Sequence, residues 1–108
     1  MKTININFQI SGTKIIIPFR AICSITNKLF YGNVIIEYYP KKKVVEYVDM
    51  EKVVKNIAKN KLTAEEFAYK IFKEVEISIR PKYLKIFVDI HKSYAHQPVQ
   101  VWIEKKFK

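Results

Sequence analysis

The sequence predicts one α+β domain, an antiparallel four-stranded sheet with two helices between its hairpins, in the order ββααββ. Three observations predict it. The first forty residues read as β-branched and aromatic runs broken by turn residues, with apolar and polar positions alternating at the start. From Asp49 to Val75 the apolar spacing becomes helical, and after Arg80-Pro81 two further β-rich runs close the chain. At 108 residues, with no linker composition anywhere, the chain forms a single domain over 1–108.

The elements follow in order. Ile4, Ile6, Phe8 and Ile10 alternate with polar residues, so Thr3 to Ile10 is expected as a strand, ended by Ser11-Gly12. Lys14 to Ile25, rich in isoleucine, is the next strand and reaches Cys23. Tyr31 to Tyr39 follows and stops at Pro40 and the basic turn Lys41-Lys42-Lys43, which places a hairpin around Thr26 to Phe30 with the cysteine at its mouth. Met50, Val53, Val54 and Ile57 have helical spacing, with Asp49 as the expected cap. Thr63 and Glu66 form a T-x-x-E capping box, and Leu62 and Phe67 a hydrophobic staple. The second helix therefore starts at Thr63 and buries Ala68, Ile71, Phe72 and Val75. Tyr83 to Ile90 and Val99 to Ile103 are the last two strands.

Composition narrows the function. Twenty basic residues against ten acidic ones give a net charge of +10, a field that attracts polyanions and makes nucleic acid the leading large partner. A lysine-rich solvated surface explains the same charge without a partner. No apolar run is long enough to span a bilayer and the start lacks a signal-peptide pattern, so a cytoplasmic protein without membrane contact is expected. The single cysteine cannot form an internal disulfide. Two histidines and one cysteine without close ligand spacing predict no metal site within one chain. Gly12 and Gly32 are isolated, so there is no phosphate loop.

Cys23 in Ile22-Cys23-Ser24-Ile25-Thr26-Asn27 is the candidate nucleophile; by itself a lone cysteine is as readily a small buried hydrophobe. The segment resembles the L-C-P-V-T-G signature of the QueF family. The resemblance runs without insertion or deletion through Pro40, Glu46 at the start of the family's E-S-K-S-L-K motif and Glu65 on the glutamate of its F-H-E motif. It ends at Arg80-Pro81-Lys82-Tyr83-Leu84, similar to D-P-K-Y-I. It implies the tunnelling fold (T-fold) of QueF, the GTP cyclohydrolases and the pterin synthases, in which subunits oligomerise, as a pentamer or a decamer of stacked rings, and close their sheets into a barrel.

In that family the cysteine attacks the nitrile of 7-cyano-7-deazaguanine. Val48 stands where the reductases carry the first lysine of their nicotinamide-binding motif, so no cofactor is expected and the resemblance turns to the archaeal QueF-like amidinotransferases, which make archaeosine in tRNA with ammonia. It implies Cys23 as nucleophile, with Glu65, Thr26 and Glu46 toward the base. Glu65 would accept from the adjacent ring N–H and exocyclic amine of the base; the same carboxylate also suits a solvent-facing helix start. Thr26 orients the cysteine loop or forms only the turn, and Glu46 is equally a surface acid. Phe30 and Ala64 occupy the places of the family's acid and histidine. His91 and His96 titrate in the range that could replace the acid, or are plain loop residues.

Lys41, Lys42, Lys43, Lys52, Lys55 and Lys59, together with the tail Lys105, Lys106 and Lys108, are candidate phosphate contacts. Tyr38, Tyr39, Tyr94 and Trp102 are candidates for base stacking or for the core. The alternative to an amidinotransferase is a protein of the same fold that binds the base or tRNA without turnover.

Overall fold

The computed structural model describes residues 1–108. Its frame is four long strands and two helices: β2 (Thr13–Cys23), β3 (Leu29–Tyr39), α1 (Tyr47–Ala58), α2 (Ala64–Ile79), β6 (Tyr83–Ser93) and β7 (Val99–Lys106). Three short strands break the expected ββααββ succession: β1 (Thr3–Asn5), β4 (Lys43–Val45) and β5 (Lys61–Leu62). The main sheet is five-stranded rather than four-stranded, in the order β5-β2-β3-β6-β7, and is antiparallel except where β5 runs parallel to β2.

The first expected strand is cut short. A strand needs a partner for its N–H and C=O groups, and within the protomer only Thr3–Asn5 finds one, pairing with β4; Ile6 adds one bond to the Lys42 carbonyl. Ile4, Phe8 and Ile10, the apolar positions of the alternation, are exposed. The cap of α1 also differs from expectation. Glu46, not Asp49, is the N-cap, its carboxylate accepting from the Val48 N–H, while Asp49 accepts from the Lys2 N–H at 2.7 Å. The box at α2 forms as expected: the Glu66 N–H donates to Thr63 Oγ1 at 3.1 Å and the Thr63 N–H to Glu66 Oε1 at 3.0 Å. At the other end of α2, Arg80 takes φ 46°, and Pro81 prevents continuation.

The core lies between one face of the sheet and the helices. Ile17, Phe19, Ala21 and Cys23 on β2, Phe30, Val34, Ile36 and Tyr38 on β3, and Leu84, Ile86, Val88 and Ile90 on β6 all point to this face, as the two-residue repeat of a strand requires. Met50 and Val54 of α1 and Phe67, Ile71 and Val75 of α2 cover them. Tyr38 belongs to this core; its hydroxyl accepts from the Val45 N–H at 3.1 Å. The opposite face carries no helix residue in the core.

Gly32 is demanded by a close approach. The register of β3 and β6 shifts between Tyr31 and Gly32, leaving His91 as the extra residue of a bulge. A Cβ on Gly32 would lie 1.9 Å from the Asp89 carbonyl oxygen. Gly32→Ala is therefore expected to destabilise the domain by about 2 kcal/mol through overpacking; urea unfolding monitored by circular dichroism measures it, and an unchanged midpoint contradicts this account of the bulge.

Candidate functional site

Cys23 ends β2, and the five exposed residues Ser24–Lys28 turn the chain into β3. Backbone bonds close the turn on both sides: the Cys23 N–H donates to the Lys28 carbonyl and the Asn27 N–H to the Cys23 carbonyl, each at 2.9 Å. Asn27 takes φ 60°, a left-handed conformation that asparagine tolerates and that the glycine of the L-C-P-V-T-G signature would supply.

The turn aims donors at the sulfur. Cys23 is 4% exposed, and burial alone would push its pKa up. The thiol is nevertheless held below its ordinary value of 9.0. The Thr26 N–H is the largest cause, burial opposes it, and the Thr26 hydroxyl and the Ile25 N–H add to the lowering. The donors outweigh the desolvation. Arg20, three residues earlier, alternates to the opposite face and does not serve the sulfur.

A second element is brought to the same place. Cys23 pairs with Leu62 of β5, and the Ser24 N–H donates to the Leu62 carbonyl at 3.2 Å. Thr63 caps α2 immediately afterwards, so Glu65, exposed in the first turn, follows the cysteine's strand partner by three residues. The partial positive charge of this helix start favours anions. Ala64, at the family's histidine position, is buried and offers no proton.

The β6–β7 connection lies at this end as well. Phe30, at the family's acid position, is fully buried and pairs with both Ala21 and Ser93. The Ala95 and His96 N–H groups donate to Ser93 Oγ, which folds the loop back so that the His96 ring lies 6.0 Å from the Phe30 ring. His96 Nδ1 is 2.6 Å from the Gln97 carbonyl, which leaves Nε2 as its other polar atom. His91 takes the other direction and meets Tyr31 edge-on at 6.3 Å.

The remaining candidates are dispersed. Glu46 is occupied as the cap of α1. Lys52, Lys55 and Lys59 flank one groove on α1, and Lys55 pairs with Glu51 at 2.9 Å. Lys41–Lys43 lie at the far end of the eleven-residue strand β3, about 33 Å from the Cys23 turn at the usual strand rise. Tyr39 packs on Tyr83 at 4.6 Å, whereas Trp102 is exposed and stacks on Phe87 at 5.9 Å. No group of three or more His, Cys, Asp or Glu side chains is placed to hold a metal. The donors that the sequence did not single out are the Ile25 and Thr26 amides, since backbone groups carry no residue signature.

No family model and no curated protein matches the sequence. Among solved structures, the chain is similar to the archaeosine synthase QueF-Like in the apo form, with a TM-score of 0.81 and 23% identity over 90% of this chain and 95% of that one. The likeness establishes a QueF-like α+β fold. No helix is long and apolar enough to cross a membrane.

The turn makes the ionisation of Cys23 testable. Thr26→Val removes the hydroxyl and keeps the N–H, so the thiol is expected to titrate closer to 9.0 without reaching it. Because the folded thiol ionises below the unfolded one, its contribution to stability is present above the unfolded pKa and is lost as pH falls through the folded value. Thiolate absorbance in the ultraviolet against pH measures the shift; identical curves for the two proteins would remove the Thr26 hydroxyl as a contributor to it.

Proposed function

We propose that the chain is an archaeosine synthase-like amidinotransferase that converts 7-cyano-7-deazaguanine in tRNA to archaeosine. The observation that carries this reading is the place of Cys23 at the mouth of its turn, paired through β5 to the helix start that bears Glu65. The shared QueF-like fold supports it.

In this reading the Cys23 thiolate adds to the nitrile carbon, and the nitrile nitrogen takes up a proton to give a thioimide. Ammonia adds to the same carbon, the C–S bond breaks, and the sulfur leaves as thiolate, so the product is an amidine and no electrons are exchanged. Glu65 holds the ring N–H and exocyclic amine of the base. Thr26 positions the sulfur; Glu46, which caps α1 at the far end of the sheet, reaches the base only from a neighbouring protomer of the ring. His96, beside Phe30, supplies the proton in place of the family's aspartate. The thiol's low exposure sets one requirement: the exposed Ser24–Lys28 turn opens to admit the linear nitrile. Lys52, Lys55 and Lys59 contact RNA phosphates along α1, and Lys41, Lys42 and Lys43 meet the same RNA at the far end or belong to a neighbouring protomer. Ring assembly into a pentamer or decamer completes the site and closes the sheets, giving partners to the open edges of β2 and β7.

A second reading, a protein that binds the base or tRNA without turnover, is favoured by one observation: neither Phe30 nor Ala64 can move a proton, and both are buried.

Intact mass separates these readings. After incubation with 7-cyano-7-deazaguanine, the wild-type protein is expected to gain the mass of the base and Cys23→Ala to gain none; equal labelling of both sinks the thioimide. An adduct that ammonia never releases, with tRNA bound and no archaeosine formed, selects the second reading. The assembly is tested by multi-angle light scattering, where a five- or tenfold protomer mass is expected and a monomer opposes the ring.

A further inference from the structure

We propose that a cleft at the open edge of β2, between α1 and the sheet face opposite to Cys23, holds a separate site for the phosphate group of a nucleotide, free or within RNA. A cavity of about 520 Å³ opens there, in the size range of small-molecule sites. Arg20, Tyr31, Asn33 and His91 on one side and Lys55 of α1 on the other supply its polar groups, over a largely apolar wall of Pro18, Phe19 and Ala58. Every one of those polar side chains carries an N–H or O–H donor, and no carboxylate lines the cavity.

The charges there are little compensated. Arg20 takes part in none of the three ion pairs of the chain, and its guanidinium fork matches two oxygens of a phosphate. Lys55 reaches Glu51, but in an exposed pair that solvent screens. The nearest acid along β6, Asp89, stands directly across from Asn33 on the same face, where it accepts from Gln100 of β7 at 3.4 Å and is not part of the lining.

Two backbone features build the concavity. Strand alternation puts Arg20 of β2 and Tyr31 and Asn33 of β3 on this face, with Arg20 paired directly to Tyr31. The β6 bulge opposite Gly32 projects His91 beside Tyr31, the two rings edge-to-face. Gly32 contributes no side chain where one would meet the Asp89 backbone. An anionic head among the donors and a ring or sugar against the apolar wall is the ligand chemistry this arrangement accepts. The site does not rest on the reaction proposed for Cys23.

The test is an amide-shift titration by nuclear magnetic resonance with adenosine monophosphate, with adenosine, and with a short single-stranded RNA. Saturable shifts centred on Arg20, Tyr31 and His91 are expected for the monophosphate, the RNA or both; the monophosphate alone identifies a free nucleotide as the source, and the RNA alone a backbone phosphate. Arg20→Ala, an exposed substitution, is expected to weaken that binding at least tenfold, as for loss of a charge-assisted pair. Cys23→Ala should leave it unchanged. Adenosine binding as tightly as the monophosphate, an unaltered affinity in Arg20→Ala, or shifts confined to the Cys23 turn would each overturn the proposal.

Discussion

Two pairs of residues tie the domain's candidate chemistry together. Ile22 with Lys61 and Cys23 with Leu62 form the short parallel contact between β2 and β5, and the Ser24 N–H continues it to the Leu62 carbonyl. A parallel pair requires the chain to cross over before it returns; here the crossover contains β3, β4 and α1. Because Thr63 caps α2 directly after β5, this contact docks a helix start, with its partial positive charge and its exposed Glu65, beside the turn that holds the thiol. Without it, the cysteine turn and the helix would be independent ends of the core.

The sulfur environment follows from how that end is closed. A buried thiol in an apolar core is inert, since desolvation favours its neutral form. Cys23 shares the core face with Ala21 and Phe19, yet it is the last residue of its strand, where the backbone ceases to pair with β3 and turns its amides inward. The Thr26 and Ile25 N–H groups are unclaimed by a strand ladder and favour the thiolate, which lowers the thiol's pKa. One residue therefore belongs both to the packing of the sheet and to a site capable of holding negative charge.

The sheet's two faces divide the polar from the apolar. One side is filled by the helices and has no buried polar side-chain atom left without a partner. The other is left with Arg20, Tyr31, Asn33, Lys85, Phe87 and Trp102, a mixture of cations, donors and aromatic rings; Lys85 lies 5.5 Å from the Phe87 ring centre and 6.0 Å from that of Trp102. A net charge of +10 is not spread evenly: α1 balances Lys52 and Lys55 with Asp49 and Glu51, whereas the β3–β4 turn carries Lys41, Lys42 and Lys43 and the tail carries Lys105, Lys106 and Lys108.

Local patterns in the sequence determined the elements themselves: the strand runs, the helical spacing from Met50 onward, and the capping box of Thr63 and Glu66, because propensity and short-range hydrogen bonds act over a few residues. They also placed Cys23 at the mouth of a hairpin turn that includes Thr26. Tertiary structure decided what pairs with what. Thr3 to Ile10 has a strand's alternation but only three paired residues, Glu46 rather than Asp49 caps α1, and a fifth strand of two residues joins the sheet. It also decided that His96 reaches Phe30 while His91 faces the other way, and that the lysines fall at opposite ends of the sheet. Those outcomes depend on contacts between residues tens of positions apart, and the free energy that selects them is that of burying one shared core, which no local window of the chain contains.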